Sequence, residues 1–183
     1  TDSTWARLVT SDSYAVGAMK TDGTAWGWGA NSLGGLGLNN RTWRSSPTQI
    51  PGTWSFVDID SHSIGVKTDG TLWTWGDNHQ GQLGHNQSGG TDISSPTQVP
   101  GTWSTSLWNA SAGGAPGGDG ISAAIKSDGT LWAWGYNFSG QLGQNQGGNN
   151  ASYSSPVQIG SGSDYLNVQC TNWDSMVIAM AKL

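Results

Sequence analysis

Three histidines, His62, His79 and His85, are the side chains best suited to proton transfer, and Asp77 lies close to the pair that flanks Gly81-Gln-Leu-Gly84. A His/Asp pair can act as acid and base when the two groups come within hydrogen-bond reach. No Ser or Cys nucleophile motif accompanies these histidines, and none of them recurs where the rest of the sequence repeats. Their spacing matches no metal-ligand signature. They are read as surface or loop-packing residues, and the sequence implies no catalytic residue, no metal and no cofactor. Asp58 and Asp60 fall on one face of an expected strand, where a cation could sit, but a solvated face is the simpler reading. The stretch Gly113-GAPGGDG-120 lacks the Lys-Ser/Thr of a phosphate cradle and any following helix pattern, and reads as a plain loop.

The chain has 12 Trp among 183 residues, and exposed Trp can stack on sugars or bases. Six of them form three WxWG pairs, and Trp5, Trp54 and Trp103 occupy equivalent positions further upstream. These nine read as structural. Trp43, Trp108 and Trp173 remain, and Trp43, between Arg41 and Arg44, is the best candidate contact site.

The elements that position these residues follow from a repeated phrase. It reads Lys20-TDGTAWGWGANSLGGLG-37, Lys67-TDGTLWTWGDNHQGQLG-84 and Lys126-SDGTLWAWGYNFSGQLG-143. Offsets of 47 and 59 residues are those of β-propeller blades. Asp22-Gly23, Asp69-Gly70 and Asp128-Gly129 lie between apolar alternations and predict hairpins with two-residue type I′ turns. In that register Ile64, Val66, Trp73 and Trp75 share a bulky face opposite Gly65 and Thr74, and blades stack large on small. Trp73 and Trp132 are then largely buried. Pro47-TQI-50, Pro96-TQV-99 and Pro156-VQI-159 read as strands begun by proline. Phe56-VDID-60, Leu107-WNAS-111 and Leu166-NVQC-170 open successive units, with Leu8-VTS-11 at the front.

The expected fold is all-β: four-stranded propeller blades in one segment, 1–183, with units at about 5–50, 54–99 and 103–159 and a partial unit at 164–183. The invariant positions, read as structural, are Asp22, Gly23, Trp28, Asp69, Gly70, Trp75, Gly81, Gly84, Asp128, Gly129, Trp134, Gly140 and Gly143. Three and a half units do not close a ring of about seven blades, so the remaining blades are expected from the same longer chain or another subunit.

Composition narrows the partners. The net charge is −5, all four Lys occupy one repeat position, and only Arg7, Arg41 and Arg44 are otherwise basic. With no basic stripe, nucleic-acid binding is not expected. Charged residues make up 10% of the chain, a neutral polar composition that suits an extracellular, cell-surface or virus-particle protein. Cys170 stands alone in an apolar alternation and reads as a buried strand residue. No 18-residue apolar run offers a membrane span. Five sequons, at Asn40, Asn86, Asn109, Asn137 and Asn150, stand against about two or three expected by chance in so Asn- and Ser/Thr-rich a chain and carry little weight.

The phrase DGTLWTWGDNxxGQLG, followed by SPTQV, resembles the regulator-of-chromosome-condensation repeat family. The resemblance covers most of the chain through Asp69-Gly70, Trp75-Gly76, Asn78, Gly81-Gln82-Leu83-Gly84 and Pro96, and the third copy matches equally. The first copy has Gly35 in place of the glutamine, and the family's His before the second strand is present once, as His62. The resemblance implies β-propellers, typically of seven blades. Its best-known members are guanine-nucleotide exchange factors on chromatin; others inhibit β-lactamases or serve as ligand-binding ectodomains. The Trp-rich, Lys-poor style looks like microbial or phage-borne copies. The function expected is a non-enzymatic binding or structural module, meeting a protein or glycan partner through variable rim loops. The alternatives are a regulatory propeller that binds a small GTPase or inhibits an enzyme, and a glycan-active enzyme with its site on the propeller axis.

Overall fold

The computed structural model describes residues 4–10, 14–87, 89–106, 110–113, 119–148, 151–170 and 177–181. Trp108, Trp173, Asn109, Asn150 and residues 114–118 lie outside the described residues. Three four-stranded antiparallel sheets follow one another, each in sequence order. The first holds β1 (Trp5–Thr10), β2 (Ala15–Lys20), β3 (Ala25–Gly29) and β4 (Arg44–Ile50). The second holds β5 (Trp54–Asp58), β6 (His62–Lys67), β7 (Leu72–Gly76) and β8 (Ile93–Val99). The third holds β9 (Ala110–Gly113), β10 (Ile121–Ile125), β11 (Leu131–Gly135) and β12 (Tyr153–Gln158). A two-stranded sheet of β13 (Tyr165–Cys170) and β14 (Val177–Ala181) begins a fourth unit. No helix occurs among the described residues. The opening strands of successive blades touch (β5 with β9, β9 with β13), which places them innermost.

The expected hairpin register is off by one residue. Lys67 N–H donates to Thr71 O and Gly70 N–H to Lys67 O, closing a three-residue loop. Gly70 has φ +81°, whereas Asp69 is not left-handed. This is a type I turn followed by a left-handed glycine bulge, in place of type I′. One extra loop residue moves every partner: Val66 faces Leu72, Gly65 faces Trp73, Ile64 faces Thr74 and Ser63 faces Trp75. Opposed residues share a face, so a slip of one swaps the faces of the partner strand. Trp73 and Trp75 therefore lie over Gly65 and Ser63, and Ile64, Val66 and Leu72 form the other face.

Blades consequently stack aliphatic face on Trp face. Ile64, Val66, Leu72 and Val99 of the second blade pack with Trp103, Ala124 and Trp134 of the third. Met19, Ala25 and Ile50 of the first pack likewise with Trp54, Val57 and Trp75 of the second. The third blade's Ile121, Ala123 and Leu131 cover Val168 and Cys170 on β13, so Cys170 is a buried strand residue. Trp75 and Trp134 are fully buried. Trp73 and Trp132 are half-buried, contrary to expectation: they sit at the turn end of the same face, where their Nε1–H donates to Thr71 and Thr130. Burying one indole of about 200 Å² is worth roughly 5 kcal/mol before entropy is counted. The prolines also differ from expectation: Pro47, Pro96 and Pro156 each sit fourth in their strand. They are tolerated there because β4, β8 and β12 are the outer edges of their sheets.

Candidate functional site

The loop between the third and fourth strands of each blade carries both the scaffold's locks and its most variable residues. The lock begins with an asparagine. Asn78 Oδ1 accepts from Leu83 N–H at 3.1 Å and its amide donates to Gln87 O at 3.0 Å. Asn31 and Asn137 do the same for Leu36 and Leu142. Each folded loop then presents a carbonyl to the next blade. Trp75 Nε1–H donates to Gly35 O at 2.7 Å, and Trp134 Nε1–H to Gln82 O at 2.8 Å. The serine opposite each indole, Ser63 or Ser122, donates to the same carbonyl. Asn137 is fully buried by this role, which removes its sequon from the surface.

On the outside of the same loops sits the candidate contact site. Trp43 is 67% exposed immediately before β4, flanked by Arg41 and Arg44. Arg41 reaches the second blade, where its guanidinium lies 3.4 Å from the Asp92 carboxylate. Arg44 turns inward to Asn40 Oδ1 at 3.4 Å. Behind Asp92, Asp77 is buried and accepts from His79 Nδ1–H at 2.6 Å and from His79 N–H at 3.0 Å. Asp77, His79 and Asp92 bring one possible ligand atom each within 4.8 Å of one another. The hydrogen bond that His79 donates to the Asp77 carboxylate, with the charges of Asp77 and Asp92, raises the His79 pKa above its ordinary value. The cluster can exchange a proton or present mixed charge to a partner. On the third blade, the position of His79 is taken by Phe138, which is half exposed. Sequence reasoning missed Asp92 and Phe138: a lone Asp in a variable loop gives no signal before Arg41 and His79 converge on it.

The other sequence candidates are structural in position. His62 is fully buried and its Nε2–H donates to Ile121 O of the next blade at 3.0 Å. Burial drives its pKa down, against the pull of Asp60 and Asp77. Desolvation likewise lowers the pKa of His85, whose Nε2 lies 3.1 Å from Thr74 Oγ1. Asp58 and Asp60 do not form a solvated face. Asp58 accepts from Ala112 N–H on the third blade at 3.2 Å, and Asp60 is buried with its carboxylate on Ser61 N–H. Of the glycine-rich loop, the described end packs Gly120 against Gln82.

The lysines have a place of their own. Among the described residues each ammonium lies near two indoles: Lys20 with Trp5 and Trp26, Lys67 with Trp54 and Trp73, Lys126 with Trp103 and Trp132. Beside each lysine, the turn aspartate accepts from the threonine two residues on, whose hydroxyl accepts from the outer Trp Nε1–H. At Asp69 and Asp128 the threonine hydroxyl, then its main-chain N–H, holds the carboxyl below its ordinary pKa. At Asp22 the main-chain N–H of Thr24 is the larger cause. Between the second and third blades this arrangement opens into a cavity of about 470 Å³.

Comparison with known proteins places this geometry. The family model described as the regulator of chromosome condensation (RCC1) repeat matches residues 22–63, 69–115 and 128–178. The chain is similar to the ultraviolet-B receptor UVR8 of Arabidopsis thaliana, with 34% identity over 158 residues, covering 84% of this chain and 34% of that protein. The chain thus spans about a third of that relative's length. Among solved structures, human WBSCR16 superposes with a TM-score of 0.74 at 20% identity, covering 93% of this chain and 44% of the other. Prp20p of Saccharomyces cerevisiae superposes at 0.74 and 15% identity, covering 98% and 44%. That protein was described together with its binding properties to Gsp1p and histones. These likenesses, at such identities, concern the fold.

Proposed function

The chain belongs to the regulator of chromosome condensation (RCC1) repeat family, and from that premise we propose that it is a non-enzymatic, protein-binding propeller module that makes its contacts through the rim of loops between third and fourth strands. One observation carries the reading: on this rim the asparagine that repeats is buried as a lock, and two aromatic residues at positions that vary are exposed. Asn31, Asn78 and Asn137 are buried, whereas Trp43 and Phe138 are exposed at 67% and 50%. A rigid scaffold that displays variable aromatic and charged side chains is the usual arrangement for loop-borne recognition. Arg41 couples the loops of two blades, so the rim offers one continuous surface.

The binding reading is favoured over catalysis because His62 is enclosed and no nucleophile motif lies beside it or beside the His79–Asp77 pair. A regulatory role, engaging a GTPase as Prp20p is described to do with Gsp1p, is the second reading and rests on the shared fold. The part of the third blade's far face that β13 does not cover is proposed to receive the rest of the fourth repeat unit. Gln141-Leu142-Gly143 is the loop that, one and two blades earlier, receives an indole, and it meets none among the described residues. The neutral polar composition supports a setting at a cell surface or on a virus particle, which detection in envelope fractions or purified particles would test.

The rim is tested with a photo-crosslinking residue at Trp43, in extract of the source organism. A protein adduct that disappears when R41E and R44E are added to the same crosslinking chain, at unchanged melting temperature, supports the proposal. An adduct indifferent to that double change overturns it. An adduct with a small GTPase, together with faster nucleotide release, selects the regulatory reading.

A further inference from the structure

The cavity between the second and third blades has a composition unlike the rest of the surface. Its floor is the Trp132 ring, with the Lys126 ammonium 3.5 Å from the ring centroid. Pro100 and Pro156 form apolar walls, and Gln98 brings a side-chain amide. The chain carries 12 Asp, yet none lines this cavity. Lys126 has no ion pair among the described residues, since the salt bridges there join Arg41 and His79 to Asp77 and Asp92. The wall also includes Trp103, which is 1% exposed and whose Nε1–H has no hydrogen-bond partner. A buried donor without an acceptor is costly unless something supplies the acceptor. A volume of about 470 Å³ lies within the range of ligand pockets, which combine apolar walls with a few polar groups.

We infer that this groove is a docking site for an extended, proline-containing acidic segment of a protein partner. The proposal rests on the protein-binding reading above but uses a different surface from the rim. Each part has a counterpart in the cavity. A carboxylate fits the ammonium of Lys126, which makes no ion pair with its neighbour Asp128, and no aspartate lines the cavity to repel it. A main-chain carbonyl can take the donor at Trp103 if the wall shifts slightly. Prolines, whose extended helix is preformed and carries no N–H to leave unsatisfied, pack on Trp132, Pro100 and Pro156. The sibling groove of the preceding blade pair holds Trp54, Lys67 and Trp73 in the same relation, and Trp54 Nε1–H is also without a partner. The two differ where Leu38 of the first blade is replaced by His85, which lines the second groove.

The test uses the whole chain and two blocked peptides, Ac-Pro-Glu-Pro-NH2 and Ac-Pro-Gln-Pro-NH2, with the indole N–H resonances of Trp103 and Trp132 as readout. The glutamate peptide is expected to shift both resonances, and the glutamine peptide to bind about tenfold more weakly, the loss typical of one charge-assisted contact. Lys126→Met should erase that tenfold difference, and Lys67→Met should retain it. Equal affinity for the two peptides, or no shift of either resonance at millimolar peptide, overturns the proposal. So does a larger shift from maltotriose than from the glutamate peptide, which would make the groove a glycan site. If Lys126→Met does not fold, the peptide pair on the unaltered chain decides alone. Failure here leaves the Trp43 crosslinking result untouched, so the two readings fall separately.

Discussion

The indole N–H of Trp134 donates to the main-chain carbonyl of Gln82 at 2.8 Å, across the boundary between two blades. The same carbonyl accepts from Ser122 Oγ at 2.8 Å, and Ser122 is the residue paired with Trp134 across the hairpin. A strand pair within one blade thus reads a single carbonyl of its neighbour with two donors. Trp75 and Ser63 read Gly35 in the same way. In the first blade the residue paired with Trp28 is Val16, so that blade has one donor where the others have two.

The double donation predicts strong coupling. Trp134→Phe removes one donor and should cost about 1–2 kcal/mol, since Gln82 O keeps Ser122. Ser122→Ala should cost about 1 kcal/mol. Together they leave a buried carbonyl unsatisfied, and the double variant should lose roughly 1 kcal/mol more than the sum. Urea melts of the four proteins check this, and strict additivity would show that the two donors act independently.

Two left-handed glycines separate conformational strain from crowding. Gly89 has φ +80° and open space where a Cβ would stand, so Gly89→Ala should cost about 1–2 kcal/mol from the backbone alone. Gly84 has φ +74°, and its Cβ would lie 2.8 Å from Trp134 Nε1. Gly84→Ala should add about 1–3 kcal/mol of overpacking to the same backbone cost. Thermal melts that rank Gly89→Ala as the more damaging would contradict the docked geometry.

Gly70→Val tests the turn. Its φ of +81° is unfavourable for a β-branched residue, while the nearest atom to its Cβ is Trp103 O at 3.3 Å. A loss of about 1–2 kcal/mol is expected. An unchanged melting midpoint would place Gly70 outside the left-handed region.

The His79–Asp77 pair gives a pH signature. Because Asp77 raises the folded-state pKa of His79 above its unfolded value of about 6.5, the pair's stabilisation is complete below that unfolded value. It is lost as pH rises through the folded pKa. The difference in melting temperature between the native chain and His79→Gln should therefore be largest in mild acid and shrink with rising pH. A difference that grew with pH would mean that His79 is not charged against Asp77.

Lys67→Met keeps the side-chain stem and removes the charge between Trp54 and Trp73. A loss of about 0.5–1 kcal/mol is expected at this half-buried site, with partial recovery in Lys67→Arg. Indole fluorescence that did not change on either substitution would argue against the sandwiched geometry.

The sequence by itself determined the unit, its copy number and its strand order, because Asp-Gly turns, WxWG alternations and prolines are local signals whose chemistry acts within a few residues. It also singled out Trp43, with Arg41 and Arg44, as a candidate contact site, since nothing in the repeat required those residues; Trp43 and Arg41 are exposed, whereas Arg44 turns to Asn40. The register was decided elsewhere. Whether Asp69-Gly70 closes a two- or three-residue loop depends on which face of β6 and β7 the next blade accepts, and only the stacked structure places Ser63 behind Trp75. The roles of Asp58, His62 and Asp92 were decided by tertiary structure for the same reason: each has its decisive partner in another blade or a distant loop, Ala112, Ile121 and Arg41 respectively. Sequence periodicity reports contacts within a blade; the contacts that turn a row of blades into a surface join residues tens of positions apart.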